Sequence, residues 1–141
     1  MPAFWDASAL LPVCVPGQGG PAMRRLLREH PVVVWWGTLV EIVSGLERLR
    51  REEAISERQS EAARQRLEML LRSWREVQPT SEVRELAAEQ LERYDLRAGD
   101  ALHLAAALVW CGGRTARRGF VCSDRRLAGA AAEAGFRIIE P

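Results

Sequence analysis

Four short apolar runs constrain this chain more than any other feature: Ala3–Trp5, Val32–Trp36, Phe120–Cys122 and Phe136–Ile139. Each is too short for a helix and rich in β-branched or aromatic residues. The last, interrupted by Arg137, reads only as a short strand, and the first three are apolar without alternation. Such runs read as strands buried on both faces. Long helix-forming stretches separate the first three, and a shorter one precedes the last. Strands that alternate with helices connect by crossovers, which implies a parallel sheet with helices on both faces. The chain thus reads as one α/β domain over residues 1–141.

The intervening stretches carry their own start and stop signals. Residues 7–11 form a short helix limited by Pro12, and VPGQGGP is a loop by its Gly and Pro content. AMRRLLREH is a helix closed by His30 ahead of Pro31. Thr38, with Glu41 three residues on, has capping-box spacing for TLVEIVSGLERLRRE. Ser56 opens a second long helix, read through Val77, with Ala63, Leu67, Leu70, Leu71 and Trp74 at helical spacing. Thr80 or Ser81 begins another helix, through about Tyr94. ALHLAAALVWC is strongly apolar and ends at Gly112–Gly113. RRLAGAAAEAG is the last helix.

Composition narrows the chemistry. All 20 basic side chains are Arg, so a P-loop, a receiver-type phosphoacceptor pocket and Schiff-base catalysis, each of which needs a Lys, are disfavoured. Cys14, Cys111 and Cys122 show no CxxC spacing, and no Cys/His set has zinc spacing. An odd, sparse cysteine count suits a reducing cytosol. No run has transmembrane length, and MPAFWDASALL lacks a basic leader, so the expectation is a cytoplasmic protein with no membrane association. GQGG at 17–20 neither completes GxGxxG nor leads a strand into a helix.

Acids are used unevenly: 15 Glu but only four Asp, at 6, 95, 100 and 124. Asp6 and Asp124 follow strands directly, Asp100 starts a helix, and Glu41 lies in the first turn after the second strand. In an open parallel sheet, strand C-ends and helix N-ends share one edge, where ligands bind. Four carboxylates converging there would repel unless protonated or neutralised by a cation. An all-oxygen set suits Mg²⁺ or Mn²⁺, and such a centre cleaves phosphodiesters. Each acid taken singly is equally a turn former or helix N-cap.

Other residues carry two readings as well. His103, three residues after Asp100, shares its helix face and could orient a carboxylate or move a proton; burial in an apolar helix is the plainer reading. Trp35 and Trp36 point to opposite faces, Trp5 and Trp110 read as core, and Trp74 as a possible interface residue. Residues 96–126 hold six Arg against two Asp, whereas residues 38–95 hold ten Arg against thirteen acids. The basic stretch brackets Asp100 and Asp124, as a polyanion approaching an acidic centre requires.

Four segments carry a family resemblance: FWDASALL, TLVEIVSGLERL, LRAGDALHLAAAL and FVCSDRRLAGAAAEAGF. In order and separation they resemble the acidic motifs of PIN domains, and most closely those of VapC-type toxins of type II toxin–antitoxin pairs. The resemblance implies a three-layer α/β/α sandwich with a short, mainly parallel sheet and Mg²⁺- or Mn²⁺-dependent endoribonuclease activity. It implies Asp6 and Asp100 as principal metal ligands, completed by Glu41 and Asp124. Ser8 and Ser123 would hold ligands or water, and Arg97, Arg125 and Arg126 would face RNA. A homodimer and a small VapB-like antitoxin are implied as partners, with residues 38–76 as the expected clamp. The rival expectation is a catalytically silent PIN-like binding module. A haloacid-type phosphatase is disfavoured because Asp6-Ala7-Ser8 is not DxD.

Overall fold

The computed structural model describes residues 1–141. In chain order the elements are β1 (Ala3–Trp5), α1 (Ala7–Cys14), α2 (Gly20–Glu29), β2 (Val32–Trp35), α3 (Thr38–Arg51) and α4 (Glu57–Ser73). There follow β3 (Arg75–Val77), α5 (Ser81–Arg93), α6 (Ala98–Trp110), β4 (Gly119–Val121), α7 (Arg125–Glu133) and β5 (Arg137–Ile139). The five strands form one sheet in the order β3-β2-β1-β4-β5, and every pair is parallel. β1 is therefore central, and the chain moves outward from it in both directions.

Strand pleating divides the core between two faces. Ala3, Trp5, Val32 and Val34 join α1 to α4 in one apolar cluster. Phe4, Val33, Trp35 and Phe120 join α5 to α7 in the other. The result is the expected three-layer α/β/α sandwich. Burial on both faces explains why the central strands read as unbroken apolar runs. Close approach of α1 to α3 depends on Gly45, where a Cβ would stand 2.7 Å from Leu11 Cδ2.

The structure corrects several expectations. A fifth strand, β3, lies inside the stretch read as the end of the long helix. That helix stops at Ser73 because Trp74 turns extended (φ −82°, ψ 160°), and Trp74 Nε1 donates to Glu76 Oε2 at 3.0 Å. β3 is an edge strand of sequence REV, so it carries no apolar signature. Trp74 is buried in the core, which overturns its reading as an interface residue. The helical part of the 38–76 segment is accordingly α3 plus α4.

Thr38 is not the cap of α3. Gly37 occupies that position without a side-chain bond, and Thr38 is fully buried in the first turn. Pro12 does not end α1, which continues to Cys14 because Leu10 and Cys14 pack into the core. Other readings hold. Ser56 caps α4 in a full capping box with Gln59, and His30 closes α2. Trp35 is buried while its neighbour Trp36 is 49% exposed. Trp5 is fully buried, and Trp110 packs partly buried against the core under the Arg118 guanidinium. No helix is long and apolar enough to cross a membrane.

Candidate active site

The sheet brings the four acids to one edge by simple adjacency. β1 and β4 are hydrogen-bonded neighbours with Trp5 opposite Val121, and the Asp6 amide donates to the Val121 carbonyl at 3.2 Å. Asp6 and Asp124 therefore leave the sheet side by side. Glu41 comes from the first turn of α3 and Asp100 from the first turn of α6. All four line one open cavity of about 840 Å³, together with Ser8, Arg48 and Arg97. A smaller hollow of about 400 Å³ adjoins it, bounded by Arg97, Asp100, Asp124, Arg125 and Arg126. Asp100, Asp124 and Arg97 belong to both, so the basic residues border the acids rather than lie apart from them.

Asp6 and Asp124 also serve as helix caps. Asp6 accepts from the Ser8 amide at 3.3 Å, and Asp124 Oδ1 accepts from the Leu127 amide at 3.0 Å. The cap and cavity readings thus coexist in the same side chains. Ser8 does a further job. Its hydroxyl donates to Asp6 Oδ1 at 2.9 Å and accepts from the Ser123 amide at 3.1 Å. It ties the β1–α1 corner to the β4–α7 corner across the sheet edge. Ser123 takes part through its backbone amide, and its side chain is exposed.

The charges at this edge are under stress. Burial pushes the Asp6 carboxyl above its ordinary value, against the lowering influence of His103 and the Ser8 bonds. Glu41 is raised, first by burial and further by the carboxylates of Asp6 and Asp100, while His103 opposes the rise. Asp100 is raised by burial and then by the charge of Asp124. Desolvation acts on all three acids and carboxylate repulsion on Glu41 and Asp100, and a cation relieves both. As the side chains stand, no three acids, histidines or cysteines close on a single point. A hard cation that keeps several waters and takes only one or two carboxylates directly suits such an open, oxygen-only rim.

His103 is buried, as the plainer reading expects, yet it also lies 3.5 Å from Glu41 Oε2. Three contributors escaped the sequence reading. Arg48 is two helical turns beyond Glu41 on the same face of α3, a spacing that could have revealed it. Thr38 meets His103 Nε2 at 3.3 Å, and Gly99 lies against Glu41; no local pattern announces either contact. A separate hollow of about 460 Å³ between α2 and α4, lined by Met23, Leu27, Met69, Arg24 and Arg66, contains no acid.

Comparison with solved structures finds the same fold repeatedly. A toxin–antitoxin complex from Klebsiella pneumoniae superposes with a TM-score of 0.64 at 18% identity, over 90% of this chain and 91% of that one. Mycobacterium tuberculosis VapC20, named as a sarcin–ricin-loop-cleaving toxin, gives 0.65 at 22% identity over 99% of both chains. VapBC2 from Rickettsia felis, bound to a DNA fragment from its promoter, gives 0.65 at 9% identity over 99% and 98%. No curated protein sequence matches the chain. The PIN domain profile matches residues 3–131, which takes in all four acids and the strands and helices that carry them, and the chain accordingly belongs to the PIN domain family.

Proposed function

We propose that this protein is a divalent-metal-dependent endoribonuclease and the toxin of a toxin–antitoxin pair. The observation that carries the proposal is the acid-lined cavity with Arg48 and Arg97 on its wall and Arg125 and Arg126 beside it. Asp6 and Asp100 would be the principal ligands of Mg²⁺ or Mn²⁺, with Glu41 and Asp124 completing the set directly or through water. When bound, such a cation supplies Lewis acidity toward a scissile phosphate and makes water a competent nucleophile near neutral pH.

The protein's own residues supply the rest. Arg97, Arg125 and Arg126 hold backbone phosphates and offset the carboxylate field that would otherwise repel RNA. Ser8 holds the Asp6 carboxylate in place, and the Ser123 amide holds Ser8. One of the carboxylates at this edge takes the proton from the attacking water.

The toxin assignment draws support from the structural neighbours, which include toxin–antitoxin complexes. The same reading brings a small VapB-like antitoxin, a homodimer and action in the cytoplasm, with the α3–α4 pair as the clamp. A second reading, a silent PIN-like binding module, draws on the caps at Asp6 and Asp124, which give those acids work without any metal.

The deciding experiment incubates purified, antitoxin-free protein with total RNA in Mg²⁺ or Mn²⁺. EDTA and Asp100→Ala serve as controls. Discrete cleavage abolished by both is expected. Absence of cleavage together with absence of calorimetric metal binding by the folded protein favours the silent module.

A further inference from the structure

His103 stands apart from the rest of α6. The other buried residues of α6 are all Ala or Leu, and His103 itself is only 2% exposed. A buried imidazole needs partners for its ring nitrogens, and both have them. Nδ1 lies 2.8 Å from the Gly99 carbonyl oxygen one turn back. A carbonyl only accepts, so Nδ1 carries the hydrogen. This bond orients the ring and aims Nε2 at α3. There it meets Thr38 Oγ1 at 3.3 Å and Glu41 Oε2 at 3.5 Å. The other Glu41 oxygen rests over Gly99, where a Cβ would stand 3.3 Å from Oε1.

The four acids differ in how they are held. Asp6 is fixed by Ser8 and Asp124 by the Leu127 amide, each on a short side chain. Asp100 is likewise short and sits in the first turn of α6. Glu41 has a longer side chain with more rotamer freedom to lose. Its carboxylate makes no hydrogen bond within the protein, and the charge contact it has is with His103 Nε2 at 3.5 Å.

We propose that Gly99, His103 and Thr38 form a seat that fixes the Glu41 carboxylate on the cavity wall. His103 is then a positioning residue for the nuclease centre, and the proposal rests on the nuclease reading above. The seat joins the two helical layers: Thr38 and Glu41 belong to α3, Gly99 and His103 to α6. Thr38 keeps the ring from drifting, Gly99 leaves room for the carboxylate, and His103 sets its direction.

The test uses the full chain with Mn²⁺ alone as the binding probe. Calorimetric Mn²⁺ affinity and RNA cleavage are measured for His103→Leu, Glu41→Ala and the double variant, with thermal melting as a check on folding. Losing an outer partner of a metal centre lowers affinity or activity by roughly 10- to 100-fold. That loss is expected for His103→Leu in the wild-type background and no further loss in the Glu41→Ala background. Thr38→Val and Gly99→Ala are milder variants that retain the fold if His103→Leu does not. The first removes a hydroxyl at constant shape, the second presses a methyl against Oε1, and both are expected to weaken Mn²⁺ binding.

Unchanged Mn²⁺ affinity in these folded variants overturns the seat, as does an equal loss with and without Glu41. The nuclease reading fails separately, if the wild-type chain neither binds Mn²⁺ nor cuts RNA. In that case the metal-free protein still decides the seat. The imidazole Nε2 nitrogen resonance shifts on Glu41→Ala if His103 holds the carboxylate, and an unmoved resonance overturns the contact.

Discussion

Replacing Ser8 by Ala removes one oxygen and cuts the tie between two corners of the sheet edge. The hydroxyl donates to an Asp6 carboxylate that is 4% exposed and accepts from the Ser123 amide, 115 residues away in sequence. A hydrogen bond to a charged partner contributes about 1.5–3 kcal/mol. Ser8 is only part-buried and Ser123 is exposed, so water recovers a share when the hydroxyl is removed. The net cost is about 1–2 kcal/mol, or about 3–8 °C in melting temperature for a chain of this size. Asp6 still accepts from the residue-8 amide and caps α1, so the helix remains formed. Function suffers more than stability, because the carboxylate keeps only its amide bond at Oδ2 and loses the hydroxyl that held Oδ1. Cleavage at limiting metal should fall roughly 10- to 100-fold. Urea unfolding, thermal melting and a Mn²⁺-dependent cleavage assay measure these effects. Ser44→Ala is the control, since Ser44 lines the same cavity but has no part in this tie. Wild-type melting and cleavage in Ser8→Ala, indistinguishable from that control, would refute the reasoning.

Three other outcomes are expected. In the metal-free protein, Asp6, Glu41 and Asp100 hold their protons more tightly folded than unfolded. Their stabilising contribution is full below about pH 4 and is lost as pH rises through the raised values. Asp100→Asn should therefore gain stability on wild type as pH rises, in urea unfolding compared at matched pH. That difference cancels the opposite trend from Glu47, whose carboxyl is lowered by Arg50 and Arg64. A wild-type chain that gains relative to the variant contradicts the burial argument. Saturating Mn²⁺ at 100 times its dissociation constant should add about 2.7 kcal/mol to wild-type stability and nothing to Asp6→Ala or Asp100→Ala, read by thermal shift. Arg97→Ala and Arg125→Ala should each reduce the steepness of the log–log salt dependence of RNA binding by about 0.7 for every phosphate no longer neutralised. Unaltered slopes place RNA elsewhere.

The central strands and the edge they share were legible because burial on both faces leaves an unmixed apolar run in the sequence. AFW and VVVWW announce themselves, and an Asp directly after AFW lands at the strand's C-end. REV at 75–77 did not announce itself, because an edge strand solvates its charged residues and its extended backbone comes from pairing with β2. Trp74 misled for a related reason. At helical spacing with Leu67, Leu70 and Leu71 it looks like the last turn of an amphipathic helix, but the chain turns there and buries it. Asp6, Glu41, Asp100 and Asp124 came to one cavity because the sheet edge dictates it. Thr38 and Gly99 remained hidden, since their roles exist only once α3 meets α6. A threonine followed three residues later by Glu satisfies a local capping rule, and the tertiary contact with His103 overrode it.

The four acids are split evenly between the two helical layers. Asp6 leads into α1 and Glu41 lies on α3, on one side of the sheet; Asp100 lies on α6 and Asp124 leads into α7, on the other. No fragment that ends before residue 124 contains the full set, and no intermediate with only one layer docked can bring the set together. Synthesis from the N-terminus therefore keeps the acidic edge incomplete until the segment that carries Asp124 has left the ribosome. The order of the chain thus acts as a delay, because the acidic edge closes only when its last member, Asp124, folds beside Asp6.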